Sequence, residues 1–461
     1  MSPRGRGEWR NAMGEIQEQV QRHIDTLVAT GAETGVQVAV HHDGALIVDA
    51  VAGTADPATG RPVTSGTPIF SFSTGKNVAA TLAHLLVARG YLRYDSPVTD
   101  LWPEFGVRGK ASATLRHVLT HTAGLPAMPR EITPAELPDW SRVCESLAAA
   151  EARWRPGGAV GYHSYTFGYL VGELARRATG RTMGELLREW ITTPLGIEGQ
   201  LYFGAPKESL PGLARLEQQA RQWPAGPDDG DAILAPWESR PSADVGNDSE
   251  ILRADIPSAG IATAHGLAAM FNAVLRGKLV DSARLAQLSA LAFESTDQVF
   301  GTPARMALGF PIGRMDAPAV ENSVALGWPG GGGSYPYATI ARRKSCPLPG
   351  RRLDRAADQP RSVLLTGRPP TPWEATERAL RRIQKFQLCT VRRDGRTHVT
   401  PLPAIGAPGA MWFTTGDNEQ QAMNLGANPH CAPTTGTDAQ PGKAFAFATG
   451  SQSSQTRCQW R

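Results

Sequence analysis

Ser73 and Lys76 stand three residues apart in SFSTGKNVAATLAHLLVARG (71–90), just ahead of an apolar run with helical spacing. A hydroxyl and an amine one helical turn apart are suited to act as a nucleophile and its base. An S-x-x-K match arises about once by chance in a chain this long, so the pair alone is weak evidence for a serine acyl-enzyme. The background strengthens it. Seven lysines stand against forty arginines, and Lys76 alone among the lysines has a serine three places before it. Guanidinium cannot release its proton and ammonium can, so a lysine in so arginine-rich a chain points to proton transfer. To act near pH 7 its pKa must fall from about 10.4 by roughly 3, which burial against an apolar helix supplies. A helix opening at Ser73 would leave the Ser73 N–H an unpaired donor at the positive helix end, able to face an oxyanion.

Such a pair needs a third group to bond the serine and protonate the leaving atom, and a tyrosine acidified by a neighbouring ammonium is suited to that. RPGGAVGYHSYTFGYLVGELARRATGR offers Tyr162 in a Gly-rich loop before a helical pattern, with Tyr165 and Tyr169 close by. Spacing alone does not choose among the three.

The elements that must position these groups are legible as patterns. Ile16 to Val28 has helical periodicity, and GVQVAVHHDGALIVDAVAGTA holds two β-rich runs, Val36 to His41 and Ala45 to Val51, around a His-Asp-Gly turn signal. That reads as a helix and an antiparallel hairpin, hence α+β. Helical patterns follow at Asn77–Ala88, Thr114–Leu119, Trp140–Ala150, Tyr165–Ala178, Leu186–Trp190, His265–Leu275 and Ser282–Leu291. The strand signal returns at GGSYPYATI (332–340), and the basic, proline-rich ARRKSCPLPGRRLDRAADQPR (341–361) then reads as linker. Glu374 to Ile383 looks helical, and QLCTVRRDGRTHVTPLPAI with GAMWFTTG gives three strand-like runs, a second β-rich module before a polar tail.

Composition excludes several classes. The 461 residues carry a formal charge of +4 with 41% hydrophobic and 20% charged residues, which argues for neither nucleic acid nor an anionic membrane as partner. Five scattered cysteines show no metal or disulfide spacing and read as reduced thiols. No apolar stretch has the length of a membrane helix and the N-terminus lacks a signal-peptide core, so a cytoplasmic location is expected. Oligomeric state is not legible.

FSFSTGKNVAATLAHLLVARGYLRYDSPVTDLWPEF, LRHVLTHTAGLP, the Tyr162 segment, PLGI and DIPSAGIATAHGLAAMFNAVLRG, in this order between about residues 15 and 340, resemble the β-lactamase-like serine hydrolases. That family includes class C β-lactamases, D-alanyl-D-alanine peptidases and family VIII carboxylesterases. The resemblance implies an antiparallel sheet with flanking helices and a mostly helical subdomain, with Ser73 as nucleophile, Lys76 as base and Tyr162 as the third group. Ser164 falls where the family usually has an asparagine that orients substrate. The third motif, on a strand beside the nucleophile, falls on Trp328-Pro329-Gly330, and the Gly331 N–H is the implied second oxyanion donor. His121 in THTAGLP is implied to be structural. Trp328 stands where a cation would pair with a β-lactam or peptide carboxylate, and an indole offers an apolar wall and one N–H donor, so uncharged esters are the expected substrates.

The expectation is therefore a serine esterase without a metal or cofactor, acting on a small-molecule ester or amide through an acyl-enzyme. Alternatives are a β-lactamase or D-Ala-D-Ala carboxypeptidase, and an inactive fused or frame-shifted product. A further one concerns residues 388–430, which resemble part of the pyridoxamine 5'-phosphate oxidase-like split β-barrels. That family binds flavin mononucleotide (FMN) or a deazaflavin, and Thr400, Thr414, Thr415 and Asn424 are the residues implied near the cofactor. Gln421 and Met423 replace the basic residues that hold its phosphate, so weak or lost binding is expected. The organisation expected is a hydrolase domain (1–340), a junction (341–370), a partial split barrel (371–436) and a disordered tail (437–461).

Overall fold

The computed structural model describes residues 3–217, 240–313 and 323–341, together with six strand segments between 385 and 459. Helix α1 (Pro3–Ala29) leads into the hairpin of β1 (Gly35–His42) and β2 (Ala45–Asp56). Asp43 and Gly44, with φ of 51° and 88°, form the two-residue turn between the paired His42 and Ala45. Positive φ at both positions is what a type I′ hairpin turn requires, and an Asp-Gly pair adopts it at low cost. The short β3 (Arg61–Pro62) extends the edge of β2, and β4 (Ile69–Phe70) leads into the Ser73 segment.

One turn of 3₁₀ helix (Phe72–Thr74) runs into α2 (Gly75–Ala88), followed by α3 (Leu115–Leu119), α4 (Trp140–Ala149) and α5 (Thr166–Thr179). Next come α6 (Met183–Leu187), a π-helical turn over Arg188–Thr192, α7 (Thr193–Leu195) and β5 (Leu201–Tyr202). Then α8 (Ala243–Asn247), α9 (Ser249–Arg253), β6 (Ile261–Ala262), α10 (Ala264–Leu275) and α11 (Ser282–Ser289) follow. Helix starts fall where side chains satisfy the first free N–H groups: Thr114 caps α3, Asp139 caps α4, Thr263 caps α10 and Asp281 caps α11.

The hairpin's period of two puts Val38, Val40, Val48 and Ala50 on one face, where they pack with Ile24 of α1. Gln17 and Gln21 of the same helix bond the backbone of Asp49 and Val51. Gln37 points to the opposite face, where its Oε1 accepts from the Ala264 N–H at 3.0 Å and ties down the start of α10. The hairpin is thus covered on both sides. The main core lies in the helical part, where α2 packs against α5 and buries Leu82 and Leu86 completely. Truncating either leucine to alanine would cost about 2 to 5 kcal/mol.

The structure differs from the patterns mainly in its strands. Residues 293–306 form a hairpin, β7 (Phe293–Thr296) and β8 (Pro303–Met306), which no periodicity announces, and α11 ends at Ser289. β9 (Ser323–Leu326) also escapes notice, and it pairs antiparallel with β10 (Ala338–Ala341). The strand expected over 332–340 therefore begins only at Ala338. Gly332 and Gly333 take φ of 85° and 100°, and Pro336 has no N–H to give a ladder, so the earlier residues form a loop.

A second compact unit holds β11 (Lys385–Val391), β12 (Thr397–Ala407), β13 (Ala410–Thr414), β14 (His430–Thr434), β15 (Phe447–Ala448) and β16 (Gln455–Gln459). They form one antiparallel sheet in the order β15-β14-β11-β12-β13-β16. The three runs expected on either side of the Asp-Gly and Ala-Pro-Gly turns are β11, β12 and β13. The helix expected at 374–383 lies outside the described residues.

Candidate active site

The turn that carries Ser73 is clamped from behind by Gly260. The Ser71 N–H donates to the Gly260 carbonyl at 2.8 Å, and the Gly260 N–H donates to the Phe72 carbonyl at 3.0 Å. Gly75 and Gly260 then meet backbone to backbone: a Cβ on Gly75 would lie 2.3 Å from the Gly260 nitrogen. Only glycine fits at that contact. Phe72 is forced to φ of 48°, a conformation that costs a bulky residue about 1 to 3 kcal/mol and is held by edge-on packing against Phe70 at 4.9 Å. The result is a fixed, partly exposed Ser73 between two buried neighbours, Phe72 and Thr74.

Lys76 and Tyr162 converge on that serine. Lys76 Nζ lies 3.0 Å from Ser73 Oγ and 3.5 Å from the Ser258 carbonyl oxygen, and Tyr162 Oη lies 2.5 Å from the same Oγ. Lys76 is 1% exposed, and burial alone pushes its amine well below the ordinary lysine value. The neutral amine is thereby favoured as proton acceptor. Tyr162 departs from the acidified tyrosine expected above: burial drives its phenol up to about 12, against the smaller lowering effect of the Ser73 bond. Burial of the phenol is the main cause, and the desolvated amine 4.8 Å from its ring centroid, favoured in its neutral form, supplies little positive charge to oppose it, so Tyr162 keeps its proton.

The third motif is not on a strand. Trp328, Pro329 and Gly330 sit in the loop between β9 and β10, where Pro329 has no N–H and the Gly330 N–H turns back to the Ser334 carbonyl at 2.7 Å. Asn77 places this loop. Its Oδ1 accepts from the Trp328 N–H at 2.7 Å, and its Nδ2 donates to the carbonyls of Trp328 at 3.1 Å and Thr74 at 3.0 Å. One amide thus couples the nucleophile's helix to the opposite wall. Gly330 passes so close to Ser71 that a Cβ would lie 2.0 Å from its carbonyl oxygen, and Gly331 lies over the Phe72 ring. This places the Gly331 backbone beside the Ser73 turn, as an oxyanion donor requires. The Trp328 indole N–H donates to the Gly309 carbonyl at 2.8 Å, so the donor expected to face substrate is already engaged and the residue presents an apolar face.

Ser164 is buried in the Tyr162 loop, its backbone N–H donating to the Pro126 carbonyl at 3.4 Å. Tyr165 and Tyr169 are buried among the helices, and Tyr169 donates to the Leu137 carbonyl at 2.5 Å. His121 is fully buried and stacks between Tyr162 at 5.7 Å and Phe167 at 4.8 Å. Its Nδ1 accepts the His163 N–H at 2.8 Å, and His163 Nε2 in turn accepts the Leu125 N–H at 3.1 Å. Burial holds both imidazoles neutral, with His163 down to about 4. They brace Tyr162 without adding charge beside Lys76.

Sequence reasoning missed Asn77, Ser258 and Gly260. The signal for Asn77 was a polar residue in the first turn of a helix that is mostly apolar from Val78 onward, with only Thr81 and His84 polar; for the other two, only the fold brings residue 260 to residue 75. Of the residues implied for a flavin, Thr400 lies on β12 opposite Leu388 and Thr414 ends β13 opposite Gln455, while Thr415 and Asn424 lie outside the described residues. Among the described residues no cluster of three or more His, Cys, Asp or Glu side chains is placed to hold a metal ion, and no helix is long and apolar enough to cross a membrane.

The beta-lactamase family model matches residues 20–348, a span that contains the whole of this site. The chain belongs to that family. It is 34% identical over 271 residues to the esterase/beta-lactamase LipL of Mycobacterium tuberculosis, covering 54% of this chain and 60% of that one. The chain spans three fifths or less of the length of the curated relatives it matches. Among solved structures it resembles a family VIII carboxylesterase, at 28% identity and a TM-score of 0.62 over 70% of this chain and 87% of that one. It also resembles a penicillin-binding protein homolog from Caulobacter crescentus, at 35% identity and a TM-score of 0.60 over 72% and 87%. The α+β fold of the family is therefore the fold of the first unit.

Proposed function

We propose that the first unit is a serine hydrolase that cleaves small, uncharged carboxylic esters through an acyl-enzyme on Ser73. In this reading the neutral Lys76 amine takes the Ser73 proton as Oγ attacks the ester carbonyl, and the backbone N–H groups of Ser73 and Gly331 receive the oxyanion. The Tyr162 hydroxyl passes its proton to the departing alkoxide, and Lys76 restores it. Water then enters along the alcohol's path and releases the acid by the reverse proton transfers.

The observation that carries the choice of ester is Trp328. With its indole N–H bonded to Gly309 it adds neither charge nor a free donor, whereas a substrate carboxylate would require a charge-assisted bond. Losing such a bond weakens recognition by about 10- to 100-fold. The test is a comparison of kcat/KM for p-nitrophenyl butyrate and for nitrocefin with the full chain. The ester is expected to be preferred by at least that factor; preference for nitrocefin would transfer the assignment to the β-lactamases.

For the second unit we propose a split-barrel remnant that binds FMN weakly or not at all, a reading that rests on Gln421 and Met423 where basic residues would hold phosphate. Fluorescence titration with FMN tests it. A submicromolar Kd would make the unit a working redox module.

A further inference from the structure

We infer that Phe300 is a specificity-determining residue, forming one wall of the subsite for the alcohol half of the ester and favouring flat, apolar alcohols of the benzyl type. The inference rests on the ester-hydrolase reading above and adds to it which half of the substrate this side chain selects.

Phe300 is 56% exposed, more than any other large hydrophobic side chain among the described residues. Its position is nevertheless held firmly. It sits in the turn between β7 and β8, where the buried carboxylate of Asp297 accepts the N–H groups of Val299 at 2.7 Å and Phe300 at 2.9 Å. The Asp297 N–H donates to the Thr302 carbonyl and the Gly301 N–H to the Asp297 carbonyl, each at 2.8 Å. The turn is also tied to the catalytic loop, because the Gln298 N–H donates to the Val160 carbonyl at 2.8 Å and the Val299 side chain packs beside Gly161. A phenyl ring exposed to water on a backbone turn fixed by so many bonds is better placed for binding than for folding.

Its neighbour identifies what it would bind. The Phe300 ring lies 5.4 Å from the Tyr162 ring, which lies 5.2 Å from Trp328. Tyr162 Oη must reach the leaving oxygen to protonate it, so the substituent on that oxygen departs alongside the Tyr162 ring, where Phe300 and Trp328 stand. The acyl carbon stays on Ser73 and its chain extends elsewhere. Aromatic rings at these separations favour a flat apolar group over a small polar one.

The consequence is a separation of the two half-reactions. Acylation breaks the bond to the alcohol and should depend on Phe300; deacylation proceeds from an acyl-enzyme that no longer contains it. With the full chain, Phe300→Ala is expected to lower kcat/KM for benzyl butyrate by about tenfold or more and for methyl butyrate by less than about twofold. Phe300→Tyr is expected to keep the benzyl preference, and the deacylation rate, read from the steady phase after a p-nitrophenyl butyrate burst, is expected to be unchanged. An equal loss for both alcohols, or a change in deacylation, would overturn the inference while leaving the hydrolase reading intact. A wild-type chain that hydrolyses neither ester and is not labelled at Ser73 by a fluorophosphonate would remove both.

Discussion

Ser73→Ala is expected to lower kcat/KM for short-chain aryl esters by at least about a thousandfold, with the fold unchanged. Ser73 Oγ is the one atom on which Lys76 Nζ, at 3.0 Å, and Tyr162 Oη, at 2.5 Å, both converge. Removing it leaves the base with no proton to accept and the phenol with no nucleophile to bond, so three side chains lose their function together. The substitution deletes one partly exposed hydroxyl, and the turn around it is held by the Gly260 backbone bonds, which do not involve that oxygen. Steady-state rates with p-nitrophenyl butyrate and fluorophosphonate labelling with peptide mapping check this. Retained hydrolysis, or labelling at another serine, would refute the assignment of Ser73.

Lys76→Met is expected to cost nearly as much activity and, at the same time, to raise Tm by a few degrees. The two effects have one cause. Burial lowers the amine's pKa far below its value in the unfolded chain, so below about pH 10.5 the unfolded state binds a proton that the folded state does not. Unfolding is then favoured as pH falls from that value toward the folded pKa, and methionine, of similar length and without charge, has no such dependence. The gain in Tm should therefore be larger at pH 7 than at pH 9. Loss of the contacts to Ser73 and the Ser258 carbonyl offsets part of it. Thermal melts of both proteins across this range decide the matter: a variant less stable than wild type at every pH would mean that Lys76 is held for stability rather than for chemistry.

The pattern of legible and illegible elements follows from how local each signal is. The helices over 75–88, 140–149 and 264–275 repeat an apolar face every three to four residues, and local caps or turns close them, so a window of a dozen residues contains the information. The Asp43-Gly44 turn announces itself in the same way. β4, β5 and β6 have two residues each and are strands only because Ile261 and Ala262 pair with partners about 60 and 190 residues away in the chain. No periodicity can show in two residues. The loop placement of Trp328 was similarly invisible, since it depends on a bond to Asn77 across 251 positions.

By itself the sequence determined the chemistry on offer: a hydroxyl and an amine one turn apart on a buried helix, a tyrosine in a glycine-rich loop, and an indole where a cation would select carboxylates. The pair and the loop tyrosines are properties of residue type and short-range spacing, whereas the choice of Tyr162 and the place of Trp328 were implied by the ordered resemblance to the β-lactamase-like hydrolases. Tertiary structure decided the protonation states and the contacts. It brought Tyr162 rather than Tyr165 or Tyr169 to Ser73, and it buried Lys76 deeply enough to favour the free amine while raising Tyr162 to about 12. It also used up the Trp328 donor on Gly309 and set Phe300 beside the catalytic phenol. Charge state and access depend on desolvation and on contacts between distant segments, and those exist only once the chain has packed.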